Sequence, residues 1–310
     1  MTPLRIIFSG SGEFGLPSLR ALADAGHEIV QVVSQPDRPA GRGRGLTPTP
    51  ISKFAIERNL PLLRTQDINQ EQLPPADLLV VIAFGQKIAP HVVDHARLGS
   101  VNLHASLLPK YRGAAPINWA IARGETITGN SVIRLAQKMD AGAVLGQSQL
   151  QIGEIETAGE LHDRLSLDGA PLILRVVEQL AGGSANEVEQ DESQATIAPK
   201  LSRDATKLDF HKPARELANQ IRGLSPWPGC RVRLLQEDGT EVAKLTLVSC
   251  SATAGKTHGS LGMIVANGGV ATGDGVIEVI QLQPEGKRPM TVQAFRNGHP
   301  WSEGMRLESI

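Results

Sequence analysis

Near its N-terminus the sequence reads Leu4-Arg5-Ile6-Ile7-Phe8-Ser9-Gly10-Ser11-Gly12-Glu13-Phe14-Gly15, an apolar run that leads into a glycine-rich turn. Apolar residues then recur at helical spacing as far as Gly26, which predicts a helix ending at that glycine. Further apolar runs follow at 29–33, 78–83 and 101–103. Continuous apolar strands separated by helices are typical of a parallel sheet covered on both faces. The first half is therefore predicted to be a Rossmann-like, doubly wound α/β domain with a mostly parallel sheet.

The glycine-rich turn also fits the G-x-G-x-x-G fingerprint of dinucleotide-binding proteins, through Gly10, Gly12 and Gly15. That fingerprint needs an acidic residue about 20 positions further on to hold the ribose, and Gln35 stands there instead. Asp37 is close, but it lies in a proline-rich turn. We favour the interpretation that the glycines allow a tight turn and close packing. A nicotinamide-dependent oxidoreductase remains the alternative.

The second half changes character after a predicted helix over 161–180. The stretch 184–194 is acidic and poor in apolar residues, as in a linker or an exposed loop. Beyond a predicted helix over 213–222, short strand-like runs separated by glycine-containing turns indicate a small β-barrel. These runs are Val232–Leu235, Val242–Val248, Leu261–Val265 and Val276–Leu282. We predict a first domain over 1–190, a linker over 191–206 and a second domain over 207–310.

The composition is that of a globular protein, with 310 residues, 41% hydrophobic residues and a net charge of −1. A near-neutral chain means that any nucleic-acid site must be a local patch. No apolar run reaches the ~20 residues that span a bilayer, so we expect a cytoplasmic protein with no membrane partner. Cys230 and Cys250 have no metal-ligand spacing and are interpreted as buried apolar side chains. No metal is predicted.

Two polar residues stand at the end of a predicted strand, in Val101-Asn102-Leu103-His104. Residues two apart on a strand point to the same side, and open α/β sheets bind ligands at the carboxyl ends of their strands. Asn102 offers an amide donor for a developing oxyanion, and His104 can take and give a proton near neutral pH. Asp140 could orient the imidazole, although an aspartate two residues before Gly142 could equally shape a turn.

Three segments together resemble the folate-dependent formyltransferase family: Asn102-Leu103-His104-Ala105-Ser106-Leu107-Leu108-Pro109, Tyr111-Arg112-Gly113-Ala114-Ala115-Pro116-Ile117 and Met139-Asp140-Ala141-Gly142. The resemblance implies that Asn102, His104 and Asp140 form the catalytic set. It also implies 10-formyltetrahydrofolate as the formyl donor, with no metal. The folate-binding residues that it implies are Phe84, Gly85, Ser106, Leu107, Leu108 and Pro109, although Phe84 is as readily interpreted as core packing.

The acceptor must be inferred elsewhere, because relatives use purine precursors, nucleotide sugars or water. The stretch 35–42 resembles the insertion that family members acting on initiator methionyl-tRNA direct at the tRNA acceptor arm. That resemblance implies tRNA binding by Arg42, helped by Arg38 and Arg44, whose forked donors suit phosphates. Residues 196–201 and 221–229 resemble the opening of the family's OB-like C-terminal barrel, which contacts tRNA.

The sequence therefore predicts direct attack of the methionyl-tRNA amine on the formyl carbon, through a tetrahedral intermediate. We expect the protein to be a monomer. Two more alternatives remain beside the oxidoreductase. One is a non-catalytic RNA-binding module, and the other is a formyltransferase acting on a nucleotide sugar.

Overall fold

The computed structural model describes residues 3–40, 45–255 and 259–310. The chain forms two compact units. The first unit comprises Met1–Gly113, Gly129–Leu150 and His162–Ile197, and the second comprises Ala114–Thr128, Gln151–Leu161 and Ala198–Ile310. Because the chain passes between the units several times, these units are not two consecutive stretches of sequence. The domain bounds given above stay a prediction.

The strands of the described chain are β1 (Arg5–Gly10), β2 (Glu28–Ser34), β3 (Arg38–Ala40), β4 (Gly45–Thr47), β5 (Leu62–Arg64), β6 (Leu78–Ile82), β7 (Ser100–His104), β8 (Arg112–Gly113), β9 (Ile127–Arg134), β10 (Val144–Gln151), β11 (Ile197–Ala198), β12 (Cys230–Leu235), β13 (Glu241–Thr253), β14 (Val270–Ala271), β15 (Val276–Pro284), β16 (Met290–Thr291) and β17 (Arg306–Ser309). The helices are α1 (Leu16–Asp24), α2 (Pro50–Glu57), α3 (Pro90–Val93), α4 (Pro116–Ala122), α5 (Ala158–Ala181), α6 (Ala214–Gly223) and α7 (Val292–Arg296). None of the helices in these ranges is long and apolar enough to cross a membrane.

The first unit is built on a sheet with the strand order β10-β9-β7-β6-β1-β2-β5. Strands β5, β2, β1, β6 and β7 pair in parallel, and β9 runs antiparallel to β7. The central strands β1 and β6 are buried along almost their whole length, which explains their unbroken apolar sequences. The mostly parallel α/β sheet is therefore confirmed.

The glycine-rich turn connects β1 to α1 through a single 3₁₀ turn at Glu13–Gly15. A Cβ atom on Gly10 would lie 2.8 Å from the carbonyl oxygen of Ile82 and 2.9 Å from Cε1 of the buried Phe8. At Gly12 the nearest atom to an added Cβ, in Ala83, is 3.9 Å away, and the backbone is extended. Close packing of neighbouring strands therefore accounts for Gly10, in agreement with the packing interpretation.

This difference predicts opposite outcomes for two similar substitutions. We expect Gly10→Ala to destabilise the first unit by about 1–3 kcal/mol, because the added methyl overlaps a backbone oxygen and a buried ring. Gly12→Ala should leave the thermal unfolding midpoint nearly unchanged. If the turn instead wrapped a dinucleotide phosphate, Gly12→Ala would abolish binding in a titration with nicotinamide cofactors. We expect no binding of those cofactors by the unaltered protein.

The second unit contains an antiparallel sheet in the order β14-β15-β13-β12-β17, with β16 on β15. Met263 bridges to Arg306 in β17, and Ile264 bridges to Val270 in β14. These bridges join the two edges of the sheet, so the barrel is nearly closed, as predicted. The predicted strand Leu261–Val265 is wrong in detail. Gly262 has a φ of +79° there, and the segment forms isolated bridges instead of a ladder.

The core of the second unit lies between the barrel and the amphipathic helix α6. Its fully buried members include Leu217 and Ile221 from the helix and Val232 from β12. Both cysteines are free thiols in this region. Burial raises the pKa of Cys230 to about 12 and raises the pKa of Cys250 as well. Both therefore behave as apolar side chains at neutral pH.

Candidate active site

Strand β7 presents the two predicted catalytic side chains of the first unit. It lies between β6 and β9, with Asn102 opposite Val81 on one side and Ile133 on the other. Asn102 is partly exposed, and none of the described residues hydrogen-bonds to its carboxamide. An amide with both of its polar atoms open is able to donate to a ligand at the carboxyl end of the strand.

His104 is nearly buried, with 7% of its surface exposed, and both ring nitrogens face polar atoms. Nε2 lies 2.9 Å from the carbonyl oxygen of Tyr111. Because a carbonyl oxygen only accepts, Nε2 carries the hydrogen of this bond. Nδ1 lies 3.7 Å from Oδ2 of Asp140, an ion-pair contact rather than a hydrogen bond. A proton taken up by the ring would therefore reside at Nδ1, beside a carboxylate.

Two residues that contact His104 have left-handed backbones. Tyr111 has a φ of +63° and Asp140 a φ of +53°. Aspartate tolerates this region because its short side chain bonds locally, whereas a tyrosine there is an outlier. Oδ2 of Asp140 also accepts a 2.8 Å hydrogen bond from the backbone nitrogen of Gly113. Such conformations persist only where the surroundings hold them, and they concentrate at functional sites.

The segment after β7 holds four predicted folate contacts, which differ in exposure. Ser106 is fully buried and its Oγ donates to the carbonyl of Lys110 at 2.7 Å, and Leu108 is 5% exposed. Leu107 and Pro109 are partly exposed. A ligand would thus contact the side chains of Leu107 and Pro109 and the backbone of this segment. Folate binding by all four stays a prediction.

Neighbouring strands β9 and β10 fix the backbone of this segment. Oγ of Ser131 donates to the carbonyl of Ser106 at 2.6 Å and accepts from the backbone nitrogen of Leu108 at 3.0 Å. Nε2 of Gln147 donates to the Leu108 carbonyl at 3.0 Å and to Ser131 Oγ at 2.8 Å. Polar side chains of β9 and β10 therefore add to the hydrogen bonds within this segment and help to preorganise the backbone next to His104.

Phe84 and Gly85 are also predicted folate contacts, and they differ in exposure. The Phe84 ring is 2% exposed and packs in a core cluster with Ile7, Val33 and Leu79, so only its backbone is open to a ligand. Gly85 is exposed with a φ of +75°. Nε2 of Gln35 donates to the Phe84 carbonyl at 2.9 Å.

One predicted tRNA-binding arginine, Arg38, lies in β3, which runs antiparallel to β4 and pairs Arg38 with Thr47. Arg38 is exposed, and its guanidinium donates to Oε1 of Gln35. Arg42 and Arg44 lie outside the described residues. The role of all three in tRNA binding stays a prediction.

Sequence reasoning missed two residues beside the Asp140 turn. Arg112 is 3% exposed, and its Nε and Nη2 donate to Oε1 of Gln190 at 3.0 and 2.8 Å. Nε2 of Gln190 donates to the carbonyls of Asp140 and Gly142 at 2.9 and 2.8 Å. Arg112 was visible within the Tyr111-Arg112-Gly113 segment, but Gln190 stood in a stretch interpreted as a linker. No apolar pattern marks a polar residue that binds backbone carbonyls.

Charged groups at the edge of the site are paired. Nη1 of Arg112 lies 2.9 Å from Oε1 of Glu192. The pKa of Glu192 lies below its usual value because Lys138 and then Arg112 hydrogen-bond to the carboxylate. Within 3–40, 45–255 and 259–310, no three His, Cys, Asp or Glu side chains cluster as metal ligands would. That the reaction needs no metal stays a prediction.

A Rossmann-like sheet that carries Asn102, His104 and Asp140 in the first unit, and a nearly closed barrel in the second, are the architecture that the family resemblance implies. Family models described as formyl transferase, and as its C-terminal domain, match residues 4–177 and 200–300, so the chain belongs to the formyl transferase family. The resemblance stated from the sequence is confirmed.

Similar proteins include the methionyl-tRNA formyltransferase of Moorella thermoacetica, 38% identical over 99% of this chain and 100% of the relative. The enzyme of the same name from Stutzerimonas stutzeri is 41% identical over 93% of this chain and 92% of its own. An N-formyltransferase from Helicobacter canadensis, solved with folinic acid and dTDP-3-aminofucose, shares the fold. It is 15% identical, with a TM-score of 0.65 over 89% of this chain and 99% of that one.

Proposed function

We propose that this chain transfers the formyl group of 10-formyltetrahydrofolate to the amino group of initiator methionyl-tRNA, giving N-formylmethionyl-tRNA for translation initiation. One observation carries the choice of acceptor: relatives named methionyl-tRNA formyltransferase match at 36–41% identity over 93–99% of the chain. The folate donor is supported by structural neighbours solved with tetrahydrofolic acid or folinic acid. The protein works in the cytoplasm, where charged tRNA is found, and acts as a monomer.

In this proposal the amine nitrogen bonds to the formyl carbon, and the formyl oxygen becomes an oxyanion. Asn102 donates its free amide hydrogen to that oxygen. Nδ1 of His104 takes the proton that the amine loses, and Asp140 at 3.7 Å stabilises the resulting imidazolium. The proton then passes to the folate nitrogen as its bond to carbon breaks. Placing both reactants in one crevice supplies much of the remaining rate.

The decisive experiment is incubation with labelled formyl donor and a panel of acceptors. The panel holds initiator and elongator methionyl-tRNA, two other aminoacyl-tRNAs and a dTDP-linked amino sugar. We expect label only on methionyl-tRNA, with the initiator preferred. Label on the amino sugar alone would support the nucleotide-sugar alternative. Binding of tRNA without labelling of any acceptor would support the RNA-binding module.

The predicted tRNA contact of Arg42 gives this proposal a second test. We expect Arg42→Ala to weaken methionyl-tRNA binding about tenfold and to lower the slope of log affinity against log salt by about one, as for the loss of one phosphate contact. Arg58→Ala is the control, since Arg58 is an exposed arginine of the first unit paired with Asp24. Filter binding at several salt concentrations measures both. An equal loss of tRNA affinity in the two variants would show that Arg42 contributes only general positive charge and no specific contact.

A further inference from the structure

We infer that Gln190, held by Arg112, is a positioning residue that keeps the Asp140 carboxylate beside His104. This inference rests on the proposed function, because it assigns the residue a part in that reaction. It concerns a segment with no catalytic motif in its sequence. The argument starts from the backbone of Asp140.

The Asp140 turn needs outside support. Asp140 is a non-glycine residue in the left-handed region, a conformation that is kept only where the surroundings hold it. Its carbonyl and that of Gly142 both accept hydrogen bonds from the single Nε2 group of Gln190. One side chain therefore fixes the backbone on both sides of the turn, and with it the direction of the carboxylate.

Gln190 is itself held by a buried cation. Both hydrogen bonds from Arg112, donated by Nε and Nη2, end on Oε1, so a charged group holds this one oxygen. With Oε1 occupied by Arg112, Nε2 must face the two carbonyls. Arg112 is next to Tyr111, whose carbonyl accepts from His104, and next to Gly113, whose nitrogen donates to Asp140. The same short segment thus touches both members of the His104–Asp140 pair.

The segment that carries Gln190 is anchored on the first unit. Val144 and Val188 exchange two backbone hydrogen bonds of 2.8 and 2.9 Å. Glu187, the residue before Val188, accepts hydrogen bonds of 3.0 and 2.8 Å from Arg134. A residue on a fixed segment can transmit its position to the turn, whereas a residue on a free linker could not.

The test compares three variants in the full chain. Gln190→Glu keeps the length of the side chain and an acceptor for Arg112 but replaces the donor by an oxygen facing two carbonyls. Gln190→Met removes all four hydrogen bonds without adding charge. Gln194→Ala is the control: Gln194 lies on the same segment, and its Nε2 donates to Asp191 and not to the turn.

We expect kcat for methionyl-tRNA formylation to fall about 100-fold in Gln190→Glu and Gln190→Met, because a small displacement of a reacting group has that effect. KM for both substrates should stay within about threefold, since a group acting only through Asp140 leaves ground-state binding intact. Gln194→Ala should match the unaltered protein.

Each other result overturns the inference. An unchanged kcat in both Gln190 variants would do so, as would a rise in KM that accounts for the loss, or an equal loss in Gln194→Ala. If Gln190→Glu does not fold, as judged by thermal unfolding, the same criteria apply to Gln190→Met. If neither folds, Gln190 is a stability residue and the inference fails. Absence of formylation by the unaltered protein would instead refute the proposed function.

Discussion

Asn102→Ala is expected to lower kcat for formyl transfer by about 10²–10³, the usual effect of removing one oxyanion donor. The partly exposed carboxamide has no hydrogen-bond partner among the described residues, so its removal leaves no protein group unsatisfied. The substitution should therefore leave the thermal unfolding midpoint and tRNA binding unchanged. Single-turnover formylation of methionyl-tRNA, with folate binding measured separately, tests this expectation.

His104→Ala provides the companion measurement, and its expected profile is different. His104 is buried and bonded to Tyr111, so its loss should reduce stability as well as kcat. Asn102→Asp refines the first test, because it keeps the volume but replaces the donor by an anionic acceptor. Near-normal turnover in Asn102→Ala and His104→Ala would refute the assigned roles. A loss confined to KM would make Asn102 a binding residue.

The central strands of the first unit were predictable because they are buried on both faces. Apolar runs at 29–33 and 78–83 correspond to the observed strands β2 (Glu28–Ser34) and β6 (Leu78–Ile82). Long helix α5 was predicted over 161–180 and is observed at Ala158–Ala181. Continuous apolar runs and helical spacing directly record which side chains leave water. The barrel was predictable as a set of strands, but its closing segment was not, because isolated bridges leave no period of two in the sequence.

The site was predictable only in part. Asn102 and His104 could be placed on one face from strand geometry alone, whereas the link from His104 to Asp140 required the family resemblance. Nothing in the spacing joins residues 104 and 140, since a long-range contact depends on the whole sheet order. Gln190 could not be found from the sequence, because a side chain that binds backbone carbonyls requires no particular residue types around it. The stretch 184–194 looked like a linker because it lacks apolar residues.

Substitution of Gly142 should displace the turn that carries Asp140, and this is the second large effect that we expect. A Cβ atom on Gly142 would lie 2.0 Å from the carbonyl oxygen of Arg134 and 2.9 Å from its carbonyl carbon. Because both are backbone atoms of β9, Gly142→Ala can be accommodated only by moving the turn. We expect a loss of more than about 3 kcal/mol in stability, above the usual range for overpacking.

Activity should fall further than stability alone explains in Gly142→Ala. We expect movement of the turn to disturb both the Gln190 hydrogen bonds and the 3.7 Å contact between Asp140 and His104. At a temperature well below the unfolding midpoint, all of the variant is folded. Its kcat should still be at least about 100-fold lower than that of the unaltered protein. Met139→Ala is the matched control, since Met139 lies in the same turn with 71% of its surface exposed. Normal kcat in folded Gly142→Ala would show that the reaction does not depend on where this turn holds the carboxylate.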